Sequence, residues 1–214
     1  MVEPFQFYSK ADQTVLLDKK AKNIRELLDG IKTVSGASIY FHTHKFLQQH
    51  HYLSPEPPND FGYWITNVLN EEVLGEQISA IDIIQFKKIA DLRLQFIEVI
   101  ESYLQTAERI VDAPRGEEFH FMASQTFVYP TSYVAQTLSE FKEILAKISI
   151  HSLYFHIFDA SLRLEQHEND FSNWFRRLGH TRLADEVLRL DPYTFTLEGL
   201  REKIIILIER YGKH

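Results

Sequence analysis

The chain has 214 residues, none of which is cysteine, and a formal charge of −7. The lack of cysteine excludes a disulfide framework, a zinc–thiolate site and thiol catalysis. The negative charge argues against a nucleic-acid partner, because binding to phosphates needs a positive surface. The longest aliphatic run, residues 204–208, is far too short to span a membrane, and the first residues lack the basic and apolar regions of a signal peptide. We therefore expect a cytoplasmic protein with no nucleic-acid or membrane partner.

The sequence contains an internal repeat. Two motifs occur twice in the same order: Ser-(Ile/Leu)-Tyr-Phe-His at residues 38–42 and 152–156, and Asn-Asp-Phe-x-x-Trp at 59–64 and 169–174. Turn-forming residues cluster between the two copies, at 112–116. The repeat predicts two homologous units, residues 1–112 and 113–214, packed together as one globular body because each unit alone would have a thin core.

The predicted elements follow the same order in each copy. Short β-prone runs come first and allow a small hairpin at the head of each copy. Apolar residues then recur at helical spacing, which predicts five helices per copy with the last one the longest. The β-prone runs are 5–7, 14–17, 119–121 and 126–129, the first helices 24–34 and 138–148, and the last helices 86–104 and 197–211. The predicted fold is mainly α, with two tandem helical repeats packed with pseudo-two-fold symmetry.

The recurring histidine of the first motif is the polar residue that most needs an explanation. His42 lies three residues after Ile39, on the apolar stripe of its helix, and a buried imidazole requires hydrogen-bond partners. It is either a neutral core group that holds one helix to the next, or part of a histidine–aspartate pair that faces a pocket and transfers protons or binds a ligand. The candidate catalytic residues are those that recur: His42, His156, Asp60, Asp170, Tyr40 and Tyr154.

The residues of the second motif have structural explanations. Trp64 and Trp174 are the two tryptophans of the chain, and each is expected to fill the core of its own copy. The Asn-Asp pairs at 59–60 and 169–170 are suited to capping a helix, because their side-chain oxygens accept from the free amides of the first turn. Packing and helix capping are therefore the first explanation for the residues of the second motif.

Two further sets of residues are candidates for binding. Arg93 and Arg201, near the start of the last helix of each copy, are the candidate ligand-binding residues, although an ion pair between helices explains them more simply. Four histidines in the first copy suggest a metal site: His42, His44, His50 and His51. About 10.5 Å separates His44 from His51 on a helix, which is too far for one ion with ligand bonds of about 2.0–2.1 Å. We expect no metal, and no cofactor, since no glycine-rich phosphate loop is present.

The motifs together resemble a prokaryotic family known as a domain of unknown function. The resemblance rests on tandem S-[IL]-Y-F-H … N-D-F-x-x-W … L-R helical repeats, and it covers nearly the whole chain. The second copy is closer to the family pattern, because the first has a longer proline-rich loop at 54–58 and lacks a proline after Asp82. The resemblance implies a helical cytoplasmic protein of bacteria or archaea and no particular activity.

The sequence favours a cytoplasmic, non-catalytic binding or regulatory protein. Its ligand, a small molecule or a protein partner, would occupy the groove between the two predicted units. The alternative is an enzyme whose acid–base groups are the recurring His, Asp and Tyr residues, but the chain has none of the common catalytic motifs. A duplicated chain also leaves open a homodimer, in which equivalent surfaces meet.

Overall fold

The computed structural model describes residues 2–46, 59–160, 162, 168–190 and 195–212, without the side chain of Ile84. Two strands, β1 (Phe5–Ala21) and β2 (Phe119–Ala135), pair with each other as an antiparallel sheet. The α-helices are α1 (Ile24–Thr33), α2 (Gly36–Tyr40), α3 (Asp60–Asn67), α4 (Glu72–Ser79), α5 (Ile89–Thr106), α6 (Leu138–Leu145), α7 (Ile150–Tyr154), α8 (Asp170–Arg177), α9 (Thr181–Leu188) and α10 (Leu197–Tyr211). Two π-helical turns, π1 (Phe41–Lys45) and π2 (Phe155–Asp159), continue α2 and α7, and a 3-10 turn covers Ile83–Gln85.

The prediction of a mainly α fold with pseudo-two-fold packing is wrong. Each strand has 17 residues, so β structure is a main component, and β1 pairs with β2 instead of forming a hairpin within its own copy. The predicted repeat symmetry is not shown by the structure. The polar residues Lys10 and Asp12 interrupt the apolar alternation in the middle of β1, and pairing between strands far apart in sequence leaves no local pattern.

The chain divides into two compact units that are discontinuous in sequence. Unit 1 contains Met1–Ala11 and Thr126–His214, and unit 2 contains Asp12–Gln125. Both strands therefore contribute to both units. The sequence-based division between residues 112 and 113 describes the internal repeat. It stays a prediction, because the compact units of the structure group the residues of the chain in another way.

The core of unit 1 is built around aromatic side chains from the start of β1. Phe5 and Phe7 are buried among residues of α6 and α8, with the Phe5 ring 5.3 Å from that of Phe141 and 5.6 Å from that of Trp174. Such edge-to-face ring contacts add to the free energy of burying apolar surface. Trp174 is only 4% exposed, which confirms its predicted place in the core.

The core of unit 2 has the same kind of centre, supplied by the start of β2. The Phe119 ring lies 5.3 Å from Phe61 and 5.6 Å from Trp64, and Trp64 is buried as predicted. Gly30 in α1 is required here, because a Cβ at that position would collide with the Phe121 ring. The two strand starts thus fill the cores of units whose helices come from the other sequence copy.

Helices α3 and α8 begin at the residues that the sequence predicts. The Asn59 side chain accepts from the N–H of Gly62 at 2.8 Å. The Asn169 side chain accepts from the N–H of Ser172 at 2.8 Å. Both asparagines are therefore N-caps. None of the described helices is both long and apolar enough to cross a membrane.

Candidate functional site

In unit 2, His42 joins helix α3 to strand β2. Its Nδ1 lies 2.6 Å from Oδ2 of Asp60, the first residue of α3, and its Nε2 accepts from the backbone N–H of Met122 at 2.9 Å. The side chain is fully buried and is surrounded by phenylalanine rings, including that of Phe119 at 4.7 Å. The π1 turn carries this histidine, so the imidazole links three separate elements.

In unit 1, His156 makes the corresponding contacts. Its Nδ1 lies 2.7 Å from Oδ2 of Asp170, and its Nε2 accepts from the backbone N–H of Tyr8 at 2.8 Å. The hydroxyl of Ser152 donates to the carbonyl of the same Tyr8 at 2.6 Å. We call the two arrangements, His42–Asp60–Met122 and His156–Asp170–Tyr8, the histidine clamps.

The hydrogen bonds of the clamps determine the tautomer of both rings. A backbone N–H can only donate, so Nε2 of His42 and of His156 must be the unprotonated acceptor. The ring proton is then on Nδ1, where it is donated to the aspartate. Because both ring nitrogens are engaged, neither has a lone pair or proton to exchange with a ligand. The geometry therefore favours the core role over the acid–base role that the sequence left open.

The clamps also bond backbone groups that the sheet does not use. A strand in a two-stranded sheet has one edge without a neighbouring strand, and its N–H and C=O groups need other partners. In unit 1 both the N–H and the C=O of Tyr8 are bonded to helix side chains. The histidine clamps thus fasten each strand start to the helices whose core it fills.

A cavity of about 390 Å³ opens beside the clamp of unit 1. It is lined by polar, charged and aromatic side chains, chiefly Glu3, Gln6, Asp170, Asn173, Trp174 and Arg177. Four of these come from α8, at spacings of three, four and seven residues, and so lie on one face of that helix. Asp170 of the unit 1 clamp borders this cavity, and its side chain is 20% exposed.

Arg177 and Asn173 are the site residues that the sequence analysis missed. They do not recur, because the matching positions of the first copy hold Asn67 and Tyr63. Their spacing from Asp170 is the signal that could have found them, because it aligns polar side chains along one helix face. Recurrence alone selects the shared scaffold and hides residues that only one copy has.

The candidate tyrosines make contacts outside the clamps. The Tyr40 ring stacks on His44, with 5.5 Å between the ring centroids. Tyr154 is buried against Phe158, and the ammonium group of Lys10 lies 4.9 Å from its ring centroid. In the structure each histidine therefore lies next to its aspartate, whereas the two tyrosine rings pack against other side chains.

The two candidate arginines differ from each other. Arg201 is buried, and its Nη1 donates to the carbonyls of Leu145 and Ile148 at 2.8 and 2.7 Å, at the end of α6. Such bonds satisfy the last carbonyls of a helix, so Arg201 is occupied as a C-terminal cap. The Nε of Arg93 is buried and has no hydrogen-bond partner in the described part of the chain. Neither arginine lines the cavity beside the clamp.

Each unit also contains a buried ion pair near its π-helical turn. In unit 1, Lys10 has a fully buried side chain, and its Nζ lies 2.6 Å from Oδ2 of Asp159. In unit 2, Lys45 lies 3.8 Å from Asp12, and both side chains are less than 10% exposed. The charges are reversed between the turns, because π1 carries the lysine and π2 the aspartate.

The histidine cluster proposed as a metal site is only partly described. His50 and His51 lie outside the described residues. Within the described ranges, no group of three or more His, Cys, Asp and Glu side chains is arranged to hold a metal ion. His42 is engaged in its clamp, and Nδ1 of His44 lies 3.1 Å from the hydroxyl of Thr43.

Comparison with known proteins supports the fold and the family. The chain is similar to a solved structure, that of OrfY from Thermoproteus tenax, at 28% sequence identity and a TM-score of 0.83. The match covers 99% of this chain and 97% of that one. None of the curated proteins matches the chain. The family of unknown function DUF5752 matches residues 2–209, and the chain belongs to this family.

Proposed function

We propose that the protein is a non-catalytic binding protein whose small-molecule ligand occupies the cavity beside the clamp of unit 1. The observation that carries the proposal is that this cavity contains an exposed arginine, while the adjacent histidine has both ring nitrogens engaged. Such a site can hold a ligand, but its imidazole cannot exchange a proton without breaking the clamp. An enzyme based on His, Asp and Tyr residues is the less supported alternative.

The face of α8 suggests what the ligand would look like. Asp170 and Arg177 lie seven residues apart on this helix, about 10.5 Å along its axis, with Asn173 between them. Arg177 suits a carboxylate or phosphate group, because its planar guanidinium can form two parallel hydrogen bonds. The Asp170 carboxylate suits a hydroxyl or ammonium donor. We therefore expect a small ligand with an anionic group at one end and such donors at the other.

The size and lining of the cavity support the same class of ligand. A volume of about 390 Å³ is near the lower end of the range for small-molecule sites. Trp174 and Phe5 provide apolar walls, which can exclude water from one side of a bound molecule. A metabolite-sized compound fits this space better than a peptide or a nucleic acid.

The proposal is tested by measuring ligand-induced changes in melting temperature. Inorganic phosphate, citrate and a panel of small hydroxy acids and amino acids are the probes. We expect at least one of the organic probes to stabilise the chain, and Arg177→Asn to raise its dissociation constant at least about tenfold, since a charge-assisted pair is lost. Arg177→Asn introduces the residue that the first copy carries at this position.

Arg189→Asn is the matched control, because it removes the same charge from a side chain that is 74% exposed and does not line the cavity. It should bind the probes as the wild-type chain does. If no probe stabilises the chain, or if both variants bind equally well, the proposed site is wrong.

Two finer sequence expectations belong to this proposal. We propose that the tandem Ser-(Ile/Leu)-Tyr-Phe-His and Asn-Asp-Phe-x-x-Trp motifs mark the clamp-forming members of the family, which the matched contacts of His42 and His156 support. We also propose a cytoplasmic location, where small charged metabolites are abundant ligands.

A further inference from the structure

A second cavity, of about 700 Å³, lies within unit 2. We call it the α4–α5 cavity, because its walls are the end of helix α4, the segment that follows α4 and one face of helix α5. On α5 it is lined by Gln95, Glu98, Val99 and Ser102, whose spacing places them on the same face of the helix. Its volume is within the range of small-molecule sites, and none of its lining residues belongs to a histidine clamp.

The charged side chains of the α4–α5 cavity all have the same sign. Asp82 and Glu98 are acidic, and none of the described residues that line the cavity is Lys, Arg or His. The Asp82 carboxylate is oriented by Gln85, whose side-chain amide donates to Oδ2 at 2.7 Å. Glu98 forms no ion pair with any residue in the described part of the chain. The side chains of the cavity therefore favour a positively charged ligand.

Two further features of the α4–α5 cavity favour a cation. The C-terminal end of α4 lines the cavity through Gln77 and the C-cap residue Ala80, and the carbonyl groups of a helix C-terminus carry a partial negative charge. Phe86 forms an apolar wall together with Ile81 and Val99, and the face of an aromatic ring attracts a cation. The carboxylates, the helix end and the ring thus all suit a cation that also has apolar surface.

The internal repeat shows that this lack of basic residues is particular to the first copy. Three lining positions are uncharged in the first copy and basic at the matching positions of the second: Ala80 and Arg189, Gln95 and Lys203, and Ser102 and Arg210. Ala80 and Arg189 are also the C-cap residues of their respective helices. Basic side chains are therefore compatible with such helix positions, and their absence from the first copy leaves the described lining of the cavity without a cation of its own.

We propose that the α4–α5 cavity binds an aliphatic diamine or polyamine. Two ammonium groups of such a ligand pair with the carboxylates of Asp82 and Glu98, and the methylene chain between them packs on the apolar wall. The side-chain oxygens of Gln77 and Gln95 accept further N–H groups. A metal ion suits the cavity less well, because no group of three or more His, Cys, Asp and Glu side chains within the described ranges is arranged to hold one. This site is separate from the cavity of unit 1 and does not depend on the ligand proposed there.

Isothermal titration calorimetry of the full chain with 1,4-diaminobutane tests this proposal. The diamine should bind at least about tenfold more tightly than 1-aminobutane, which has a single ammonium group. Glu98→Gln should raise the dissociation constant of the diamine at least about tenfold, because it removes one carboxylate from the cavity and keeps the shape of the side chain. Glu72→Gln is the matched control, since it removes a carboxylate from the opposite end of α4, outside the cavity, and it should bind the diamine as the wild type does.

A second pair of variants adds a positive charge instead of removing a negative one. Gln95→Lys gives the cavity the residue that the second copy carries at the matching position, and it should also weaken diamine binding at least about tenfold. Leu94→Lys adds the same charge to a neighbouring side chain that is 62% exposed and does not line the cavity, so it should have little effect. Arg177→Asn should leave diamine binding unchanged, which separates this site from that of unit 1.

Three results would overturn the proposal. They are a wild type that does not bind the diamine, equal binding of the diamine and 1-aminobutane, and equal effects of a cavity variant and its control. The glutamate pair keeps the test decisive even if Gln95→Lys does not fold. Binding of the diamine by a chain that binds none of the unit 1 probes would contradict the proposed function and leave this inference intact.

Discussion

Units 1 and 2 contain the same histidine clamp in different surroundings. The bonds from imidazole to aspartate and from backbone N–H to imidazole differ by no more than 0.1 Å between His42 and His156. The neighbouring residues differ in charge and size: π1 carries Lys45 where π2 carries Asp159. The histidine clamp, which both units contain, fastens a strand to helices. A functional site is therefore better sought among the residues in which the two units differ.

The largest expected effect on stability comes from breaking a buried ion pair, and it should differ between the two units. Lys10→Met should lower the free energy of unfolding by about 4 kcal/mol, because it leaves Asp159 with a poorly solvated charge. Lys45→Met should cost less, since its ion pair with Asp12 is longer. Urea denaturation of the two variants measures the difference. Equal losses would show that the closer ion pair of unit 1 is no more important than that of unit 2.

The clamps should show the next largest effect, and both should respond alike. His42→Ala and His156→Ala are each expected to lower the free energy of unfolding by about 3 kcal/mol, because a buried N–H and a carboxylate lose their partner. The corresponding Gln variants keep one donor and one acceptor and should lose less. A change near zero for either Ala variant would contradict the structural role and restore that histidine as a candidate functional group.

A smaller effect is expected from the close packing in unit 2. Gly30→Ala should destabilise the chain by about 2 kcal/mol, because the added methyl group displaces the Phe121 ring. Gly36→Ala is the control, since its Cβ would lie 3.5 Å from Ile89, an ordinary contact. Thermal denaturation of both variants provides the measurement. If Gly30→Ala is as stable as the control, the strand start is packed less tightly than the structure shows.

The smallest expected effect is on the pH dependence of stability, and it arises from Tyr103 of unit 2. Burial, followed by the hydrogen bond that Tyr103 donates to Glu71 at 2.6 Å, raises the pKa of Tyr103 from 10.0 to about 12. Because the pKa of Tyr103 is higher in the folded chain than in the unfolded chain, the protonated tyrosine contributes fully to stability below pH 10. This contribution is lost as the pH rises from 10 to 12. Tyr103→Phe should therefore lose less stability than the wild type over this interval in urea titrations.

The control for the pH prediction is Tyr63→Phe, at a side chain that is 47% exposed. It should follow the alkaline stability profile of the wild type. Identical profiles for the Tyr103 and Tyr63 variants would show that the Tyr103–Glu71 hydrogen bond does not couple ionisation to folding.

Local features of the fold and the clamps could be predicted from the sequence. Asn59 and Asn169 cap helices, Trp64 and Trp174 fill cores, and His42 pairs with Asp60, because each of these depends on neighbours a few turns away or on the repeat. The pairing of β1 with β2 could not be predicted, since Lys10 in mid-strand is typical of a turn or an exposed segment. Only the structure shows Asp159 beside it.

The residues of the candidate site were also predictable only in part. Recurrence identified Asp170, which borders the cavity, but it could not identify Arg177, because the first copy has Asn67 at the matching position. A comparison of two copies is sensitive to what both need for folding. It is insensitive to a ligand site that one copy has acquired or the other has lost.

The contribution of both strands to both units has a consequence for the order of synthesis. Phe5 and Phe7 leave the ribosome long before Phe141, Phe171 and Trp174, the rings against which they pack. Until those partners emerge, two of the most apolar side chains of the nascent chain have no core to enter. Conversely, α1 to α5 cannot complete their core until Phe119 and Phe121 are translated. Co-translational folding of this chain should therefore be late and concerted, with the helices of the first copy waiting for a strand that belongs to the second.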